Sequence, residues 1–524
     1  MSKANPLQVC PGRCLGFLGW DSYLQLKEIM LTYPALGAAL QDIVPKLKSQ
    51  PQTYPVLDIF YSPADPLSTP ITISLPKNGL RLRFDGATQR LRLIEVLDFS
   101  LVALLYENRD IVKLPQDGSK ATGPAFRHIY DRLIGPTFPG EYLPPADGST
   151  SKRGLYILSY PGVAFTFPVR SAAWSDPRDF VSLLSQHAEP ASNMAIFDGE
   201  SWRAARADLY DRTCPIPRPF LSGTKVKETR PNEVDFVLIK GSGVLEIHRR
   251  SSSTFRLCLG SSTPQDLLVE LGPPDAIYRK SDRRLSIHKA HRKSRSSSSN
   301  TRFEDGGDTG YSSHAVTTDE SDAEDEVNSA NEKSNARAEC FWNYFQHGID
   351  IFMSCPQPVP DRMDLGKADL AVMSAAAEPN HLVATKALLH GNVPGSYPFN
   401  RYRRCRWRLA PTSKGERTSK VLTSETSFHR ISRALQKSLD AAASSKDNQR
   451  HLQQGMILNR GWGTSPESSC ELLGGWEESR KPTGAGDAAI GEDTPGTGNS
   501  ELFGFPGLIF EVLKNDTVSC LTIY

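Results

Sequence analysis

The feature that most constrains this chain is a short motif that occurs four times, a glycine followed by apolar residues at alternate positions. The four copies are Gly79 to Phe84, Gly162 to Phe167, Gly348 to Met353 and Gly507 to Val512. A period of two places one row of side chains on a core and leaves the other row on a wetter face, as in antiparallel sheets. The motif therefore predicts a chain built largely from antiparallel strands.

Turn residues follow the first and the last copy of this motif. Asp85-Gly86 separates the first copy from a second alternating run at 89–96, and Lys514-Asn515-Asp516 separates the last copy from the apolar run that follows it. Turns of this kind join strands that lie side by side. Both places are predicted β-hairpins.

Three helices are predicted beside these strands. The clearest covers about 263–271, where Ser262 or Thr263 can cap, Pro264 takes the first helical position and Gly272 follows the end. The second covers 427–440, and the third lies near the N-terminus. Residues at helical spacing are Phe428, Ile431, Leu435 and Leu439 in the second helix and Leu36, Leu40, Ile43 and Leu47 in the third, which Pro45 is expected to kink or stop.

The predicted fold class is α+β, with divergent repeats of a helix followed by an antiparallel β-meander and with long disordered insertions. The predicted organisation is helix-plus-meander repeats at 1–275, a repeat at 276–354 interrupted by an insertion at 279–338, a continuation at 355–442 with a basic strand at 401–408, a disordered low-complexity region at 443–500 and a C-terminal hairpin at 501–524. The alternative is coincidence, because a glycine before an alternating strand is common in any β protein.

The insertion at 279–338 has almost no large apolar side chains, so it cannot bury enough surface to offset the entropy of ordering. Its first part, 279–295, holds eight Lys and Arg against one acid, and its second part, 304–326, holds nine acids and no Lys or Arg. A serine run at 296–299 adjoins the basic part and is a candidate for phosphorylation. The alternative is a solvated loop without a regulatory role.

Charge and composition exclude several classes of protein. The chain carries 61 Lys and Arg against 59 Asp and Glu, and this balance argues against a surface that coats nucleic acid. Its longest apolar run, around 99–106, is far shorter than the roughly 20 residues that cross a bilayer. Without a readable secretory signal, and with nine cysteines spread over 524 residues, the sequence predicts a cytoplasmic protein.

Motifs that carry chemistry are missing from the sequence. It contains no GxSxG elbow, no phosphate-binding P-loop, no HExxH and no CxxC pairs at zinc-like spacing. Cys340, His347 and Cys355 lie near one another in sequence, but a turn and a strand separate them. We therefore expect no enzyme activity, no catalytic residues, no cofactor and no metal site.

The most distinctive polar feature is the segment 401–408, in which five arginines alternate with Tyr402, Cys405 and Trp407. On a strand, Tyr402 would share one face with Arg404, Arg406 and Arg408. The predicted anionic-lipid contacts, with phosphoinositide headgroups or an anionic membrane surface, are Arg401, Arg403, Arg404, Arg406 and Arg408. The alternative is an exposed strand whose arginines pair with the chain's own acids and guard a sheet edge. RNA binding is not expected, because no RNA-binding module surrounds the segment.

At these residues the sequence resembles a eukaryotic family, the phagosome assembly factor 1 proteins. The segments that carry the resemblance are Tyr61-Ser62 with Pro66-Leu67-Ser68, Gly79 to Asp85, Gln89 to Val96, Leu259 to Pro274, Phe341 to Phe345, Gly348 to Ile351, Leu389 to Asn392, Tyr402 to Cys405 and Gly507 to Val512. They occur in order from about residue 15 to the C-terminus. Three stretches depart from the family pattern, at 279–338, 356–387 and 411–500, and the second is either a genuine insertion or a gene-model error.

The resemblance implies a non-enzymatic adaptor in autophagy. Relatives of this kind associate with a WD40-propeller partner and are recruited to the phagophore assembly site. The alternative that the resemblance implies is a trafficking adaptor in transport from the Golgi to the plasma membrane, with Golgi association. Neither role follows from composition or periodicity.

Overall fold

The computed structural model describes residues 7–17, 35–113, 123–145, 153–171, 174, 180–214, 233–250, 254–279, 339–355, 382–410, 421–442, 455–459 and 499–524. The chain divides into two compact units. Unit 1 comprises Met1–Arg256, Phe345–Ile349 and Leu388–Ile523, and unit 2 comprises Leu257–Tyr344, Asp350–Ala387 and Tyr524. Most of the predicted insertion 279–338 and of the region 443–500 lies outside the described residues.

Strands far outnumber helices in the described residues. The helices are α1 (Leu40–Lys48), α2 (Phe180–His187), α3 (Trp202–Ala207), α4 (Pro264–Glu270) and α5 (Phe428–Ala442), with a 3-10 turn at Pro76–Asn78 and a π-helical turn at His128–Leu133. The strands are β1 (Leu7–Cys10), β2 (Cys14–Phe17), β3 (Asp58–Phe60), β4 (Ile71–Leu75), β5 (Leu80–Phe84), β6 (Leu91–Val96), β7 (Leu104–Tyr106), β8 (Arg109–Asp110), β9 (Glu141–Leu143), β10 (Arg153–Tyr160), β11 (Val163–Arg170), β12 (Asn193–Phe197), β13 (Val234–Gly241), β14 (Val244–Arg249), β15 (Phe255–Cys258), β16 (Ala276–Arg279), β17 (Cys340–Tyr344), β18 (Ile349–Ser354), β19 (Val383–His390), β20 (Trp407–Leu409), β21 (Leu422–Thr423), β22 (Met456–Asn459), β23 (Asn499–Phe505), β24 (Leu508–Leu513) and β25 (Val518–Ile523).

Unit 1 contains an eight-stranded antiparallel sheet with the strand order β3-β4-β5-β6-β12-β11-β10-β9. A four-stranded sheet, β2-β1-β7-β8, also belongs to this unit, and in it β1 runs parallel to β7. The α+β class and the predominance of antiparallel strands are confirmed. The predicted hairpin after Asp85-Gly86 is also confirmed, since β5 pairs with β6.

Helix α1 packs on the core of the eight-stranded sheet and continues through Pro45. Of the two outcomes expected of this proline, the stop does not occur, and the kink stays a prediction. A proline in a helix interior costs about 3 kcal/mol. Val44 and Leu47, on either side of it, are fully buried, and burial of such side chains contributes about 1.5–3 kcal/mol each. The packing therefore offsets the lost hydrogen bond.

The four glycines of the repeated motif share one backbone conformation. Gly79, Gly162, Gly348 and Gly507 have φ values of 64°, 79°, 70° and 75°. This left-handed region favours glycine, which has no Cβ to clash. Each glycine directly precedes a strand, namely β5, β11, β18 and β24.

The C-terminal part of unit 1 forms a second meander, with the strand order β22-β23-β24-β25. The hairpin predicted at Lys514-Asn515-Asp516 is confirmed, since β24 pairs with β25. Two predictions need correction here. Residues 501–524 contain part of a further strand, β23, in addition to this hairpin, and Met456–Asn459, predicted to be disordered, forms the edge strand β22. The short apolar run of β22 pairs with Asn499–Leu502. This strand was not predicted because the run is short and low-complexity sequence lies on both sides of it.

Helix α5 lies where the sequence predicted it, and its first turn packs on this second meander. The Phe428 ring lies 4.5 Å from Phe503 and 5.6 Å from Phe510, measured between centroids. Asp516, in the turn between β24 and β25, accepts the backbone N–H of His429 at 3.1 Å. This carboxylate caps a helix that begins 88 residues earlier in the chain, where the positive end of the helix dipole favours it.

In unit 2, helix α4 begins with the predicted cap. The Thr263 side chain and Asp266 form a reciprocal capping box, and Pro264 takes the first helical position. Strands β16 and β17 pair antiparallel, with Tyr278 opposite Phe341. The Phe341 ring lies 4.7 Å from that of Phe352.

Candidate functional site

The arginine-rich segment lies in unit 1, and most of it is not a strand. Strand β20 covers only Trp407–Leu409, so the predicted strand at 401–408 was wrong for its first six residues. The preceding chain turns sharply, with positive φ at Asn392 and Asn400. The backbone N–H groups of Arg403 and Cys405 donate to carbonyl oxygens of Phe345 and His390. This loop therefore has no face of alternating side chains.

Arg404 is the most enclosed cation of the segment, with its side chain 1% exposed. Its Nε donates to the Ala87 carbonyl oxygen at 2.6 Å, and its Nη1 donates to the Gly391 carbonyl oxygen at 2.6 Å. Its Nη2 lies 3.3 Å from a carboxylate oxygen of Glu425. Burial lowers the pKa of Arg404, and Glu425 opposes that effect. The planar guanidinium fork suits this three-sided site, which an ammonium could not fill.

Glu425 is shared between two arginines. Its Oε1 accepts Arg406 Nε at 2.7 Å as well as Arg404. Burial would raise the pKa of Glu425, but Arg404 and Arg406 outweigh burial and lower this pKa to about 2. The carboxylate is therefore ionised throughout the physiological pH range.

Arg403 forms ion pairs with two other acidic residues. Its Nη2 lies 2.6 Å from Asp42 of α1, and its Nη1 lies 3.1 Å from Glu233. Glu233 is also held by Arg90, at 3.0 Å. Burial would raise the pKa of Glu233, whereas Arg90 and Arg403 lower it, and the net shift is downward. Residues far apart in sequence thus share one ionic cluster.

An amide pair completes the arrangement. Gln89 Nε2 donates to the Asn392 carbonyl oxygen at 2.7 Å, and Asn392 Nδ2 donates to Gln89 Oε1 at 2.7 Å. Both residues are buried and both have positive φ. We refer to Gln89, Asn392, Arg403, Arg404 and Glu425 as the arginine clasp. It ties the β5–β6 turn to a loop 303 residues later in the chain.

The clasp is suited to holding the fold rather than to binding a ligand. Its two guanidinium groups are buried and already meet carboxylates and carbonyl oxygens of this chain. Removing one partner from a buried ion pair typically costs about 3–5 kcal/mol, because the other charge is left uncompensated. The alternative interpretation from sequence was an exposed strand whose arginines pair with the chain's own acids and guard a sheet edge. Its ion pairs are present at Arg403, Arg404 and Arg406. Its exposed edge strand is not, because Arg403 and Arg404 are buried in a loop.

The other three predicted contacts are more accessible, and we refer to them as the arginine rim. Arg401 is half-buried, with its guanidinium 5.5 Å from the Tyr402 ring centroid, and Arg406 is half-buried against Glu425. Arg408 is exposed and stacks 4.1 Å from the Phe236 ring centroid. Contact between these arginines and an anionic lipid stays a prediction.

Sequence reasoning missed the residues that face the arginines. Asp42, Glu233 and Glu425 lie in three separate parts of the chain. The turn-rich composition around Asn392 was visible in the sequence, but no local pattern connects it to Gln89. Among the described residues, no group of three His, Cys, Asp or Glu side chains is placed to hold a metal ion. None of the helices described combines the length and the apolar character that crossing a membrane requires.

Comparison with known proteins gives a consistent result. The family model described as phagosome assembly factor 1 matches residues 33–304 and 377–524. A PHAF1 protein of Arabidopsis thaliana is 23% identical, covering 94% of this chain and 90% of its own length. A PHAF1 protein of Drosophila melanogaster is also 23% identical, and the alignment covers 99% of this chain and 94% of the Drosophila protein.

A third relative, a PHAF1 protein of Caenorhabditis elegans, is 22% identical and covers 71% of this chain and 73% of its own length. The family model leaves out residues 305–376, which include the Phe341 to Ile351 part of the resemblance noted from sequence. No solved structure matches the chain.

Proposed function

Because the chain belongs to the phagosome assembly factor 1 family, we propose that it is a non-enzymatic scaffold in autophagy, acting with a WD40-propeller partner at the phagophore assembly site. The observation that carries the proposal is the family match over two long segments of the chain. Relatives from a plant and an insect, aligned over nearly their whole length, bear the same family name. The propeller partner and the recruitment to that site come from the resemblance noted above. The cytoplasmic location is the expectation from the cysteine content and the lack of a readable secretory signal.

The geometry of unit 1 is compatible with this scaffold role. The clasp fixes the start of β20 against the β5–β6 turn, so the rim is presented from a fixed backbone. A rigid surface loses little conformational entropy when a partner binds. As a further part of the proposal, the chain is built from divergent helix-plus-meander repeats, with the four left-handed glycines marking equivalent turns.

Affinity purification from cells tests the partner. The tagged full-length chain is expected to recover a WD40-propeller protein under mild lysis, both in fed and in nitrogen-starved cells. A chain recovered without any propeller protein, under conditions that preserve weak complexes, contradicts the proposal. Relocation of the tagged chain to autophagic puncta on starvation supports the autophagy role, whereas steady Golgi residence supports transport from the Golgi to the plasma membrane.

We further propose that the rim gives weak attraction to an anionic membrane surface. Each basic residue near such a surface contributes about 1 kcal/mol. A variant with R401E and R408E is expected to lose binding to vesicles that contain anionic lipid, while keeping its fold. The matched control is R256E, a charge reversal at an exposed position of β15 outside the rim. Equal binding of the rim variant and the control removes the membrane contact from the proposal.

A further inference from the structure

Two meanders of unit 1 match in strand order and pairing register when they are aligned at their left-handed glycines. In the first, Tyr160 pairs with Val163 across Gly162, and in the second, Phe505 pairs with Leu508 across Gly507. Counting outward from these pairs aligns the β10–β11 hairpin with the β23–β24 hairpin, and the pairing of β9 and β22 extends the alignment to the edge strands. The strand orders β9-β10-β11-β12 and β22-β23-β24-β25 agree.

The inner faces of the two meanders are both covered. In the first, Tyr156 packs against Phe180 of α2 with ring centroids 6.2 Å apart. In the second, Phe428 of α5 packs on Phe503 and Phe510. Phe165 and Phe510, which take equivalent positions, are buried to 1% and 0% exposure.

The outer face of the first meander carries a helix of its own. Helix α3 covers an apolar cluster in which Ile157, Ala164 and Ala195 are buried. The backbone N–H of Trp202 donates to Ser159 Oγ at 2.8 Å, which fixes the start of α3 on the sheet. Arg206 of α3 pairs with Glu141 of the edge strand β9 at 2.8 Å.

The outer face of the second meander is apolar and accessible near the Gly507 turn and the edge strand. Farther along, Glu511 lies directly opposite Leu502 on this face, is buried and accepts a hydrogen bond from Ser500 Oγ at 2.7 Å. Leu502 and Ile509, equivalent to Ile157 and Ala164, are only half-buried. Met456, which pairs with Leu502 on the edge strand, is 61% exposed. At Gly504, equivalent to Ser159, a Cβ atom would meet no atom within 4 Å among the described residues.

We propose that this outer face, formed by Met456, Leu502, Gly504 and Ile509, binds an amphipathic helix of a partner protein. The occupant is inferred from α3, because a short helix with Trp and Ala residues covers the equivalent face of the first meander. Met456 takes the position of Glu141, so the partner helix carries an apolar residue where α3 carries Arg206. The site extends the proposed scaffold function and uses neither the clasp nor the rim.

The test is a binding titration of the full-length chain with a fluorescent peptide that has the sequence of residues 200–211 and the change R206L. Saturable binding in the micromolar range is expected. The change M456K should weaken this binding by at least tenfold, because it places a charge on the outer face. The change I457K is the matched control, since Ile457 is the next residue, is 71% exposed and points to the opposite face. The I457K chain should bind the peptide with the same affinity as the wild-type chain.

Three results overturn this proposal. The first is no binding, or an equal loss of binding in M456K and I457K. The second is a homodimer that M456K converts to a monomer in light scattering, since the occupant is then a second copy of this chain. The third is binding that requires deletion of residues 461–498, since those residues then compete for the face. None of these results depends on recovery of a propeller partner, so the two proposals fail separately.

Discussion

Two halves of one arginine-rich segment have opposite surroundings. Arg403 and Arg404 are buried and meet carboxylates or carbonyl oxygens on several sides, whereas Arg408 is exposed and stacks on a single ring. The residue type is the same and the positions are neighbours, so composition alone cannot assign a role to either half. What separates them is the backbone, which turns before Arg403 and becomes a strand only at Trp407. Of the five arginines in this segment, two thus belong to a structural clasp and three form an accessible rim.

The largest effect is expected from R404M. The change removes the cation from a site that holds Glu425 and two carbonyl oxygens, and leaves Arg406 as the remaining cation beside Glu425. Breaking a buried ion pair of this kind costs about 3–5 kcal/mol. Urea unfolding followed by the fluorescence of buried Trp407 measures the loss. A change below about 1 kcal/mol would show that Arg404 does not hold the fold.

A somewhat smaller effect is expected from E425Q, and it depends on pH. The lowered pKa of Glu425 means that its stabilising contribution is present above the unfolded-state pKa near 4.3 and is lost as the pH falls toward about 2. The wild-type chain should therefore lose about 2–3 kcal/mol more than E425Q over this interval. If the free energy of unfolding fell by the same amount in both chains between pH 5 and about 2, the assigned ion pairs would be contradicted.

The amide pair gives a third comparison. The change Q89A leaves the amide of Asn392 without its side-chain partner and is expected to cost about 1–3 kcal/mol, the penalty of an unsatisfied buried polar group. In the double variant with N392A the two losses should be less than additive, because both remove one interaction. Strict additivity in urea unfolding would mean that the pair does not act as a unit.

The smallest effect is expected from R408A. Its guanidinium stacks on Phe236 at an exposed site, where a cation–π contact contributes about 0.5–1 kcal/mol. Thermal unfolding should show at most a small decrease in midpoint. A loss as large as that of R404M would erase the distinction between clasp and rim.

Local patterns predicted much of the fold. Alternating apolar residues after Gly79 and Gly507 placed β5 and β24, and the Thr263 to Gly272 signals placed α4 to within one residue at each end. These succeed because strand period, cap and turn are properties of adjacent residues. The failures have a common physical cause: the continuation of α1 through Pro45 and the loop conformation of Arg401 to Arg406 both depend on packing with distant parts of the chain. The partners of the clasp were missed for the same reason, since Gln89 and Asn392 are 303 residues apart.

The most direct test replaces Arg404 in one variant and Arg408 in another by lysine, which keeps the charge. R404K should destabilise the chain in urea by several-fold more than R408K, because an ammonium cannot reach Ala87, Gly391 and Glu425 together whereas an exposed lysine is easily accommodated. Equal unfolding midpoints for R404K and R408K would contradict the division of this segment into a buried clasp and an accessible rim.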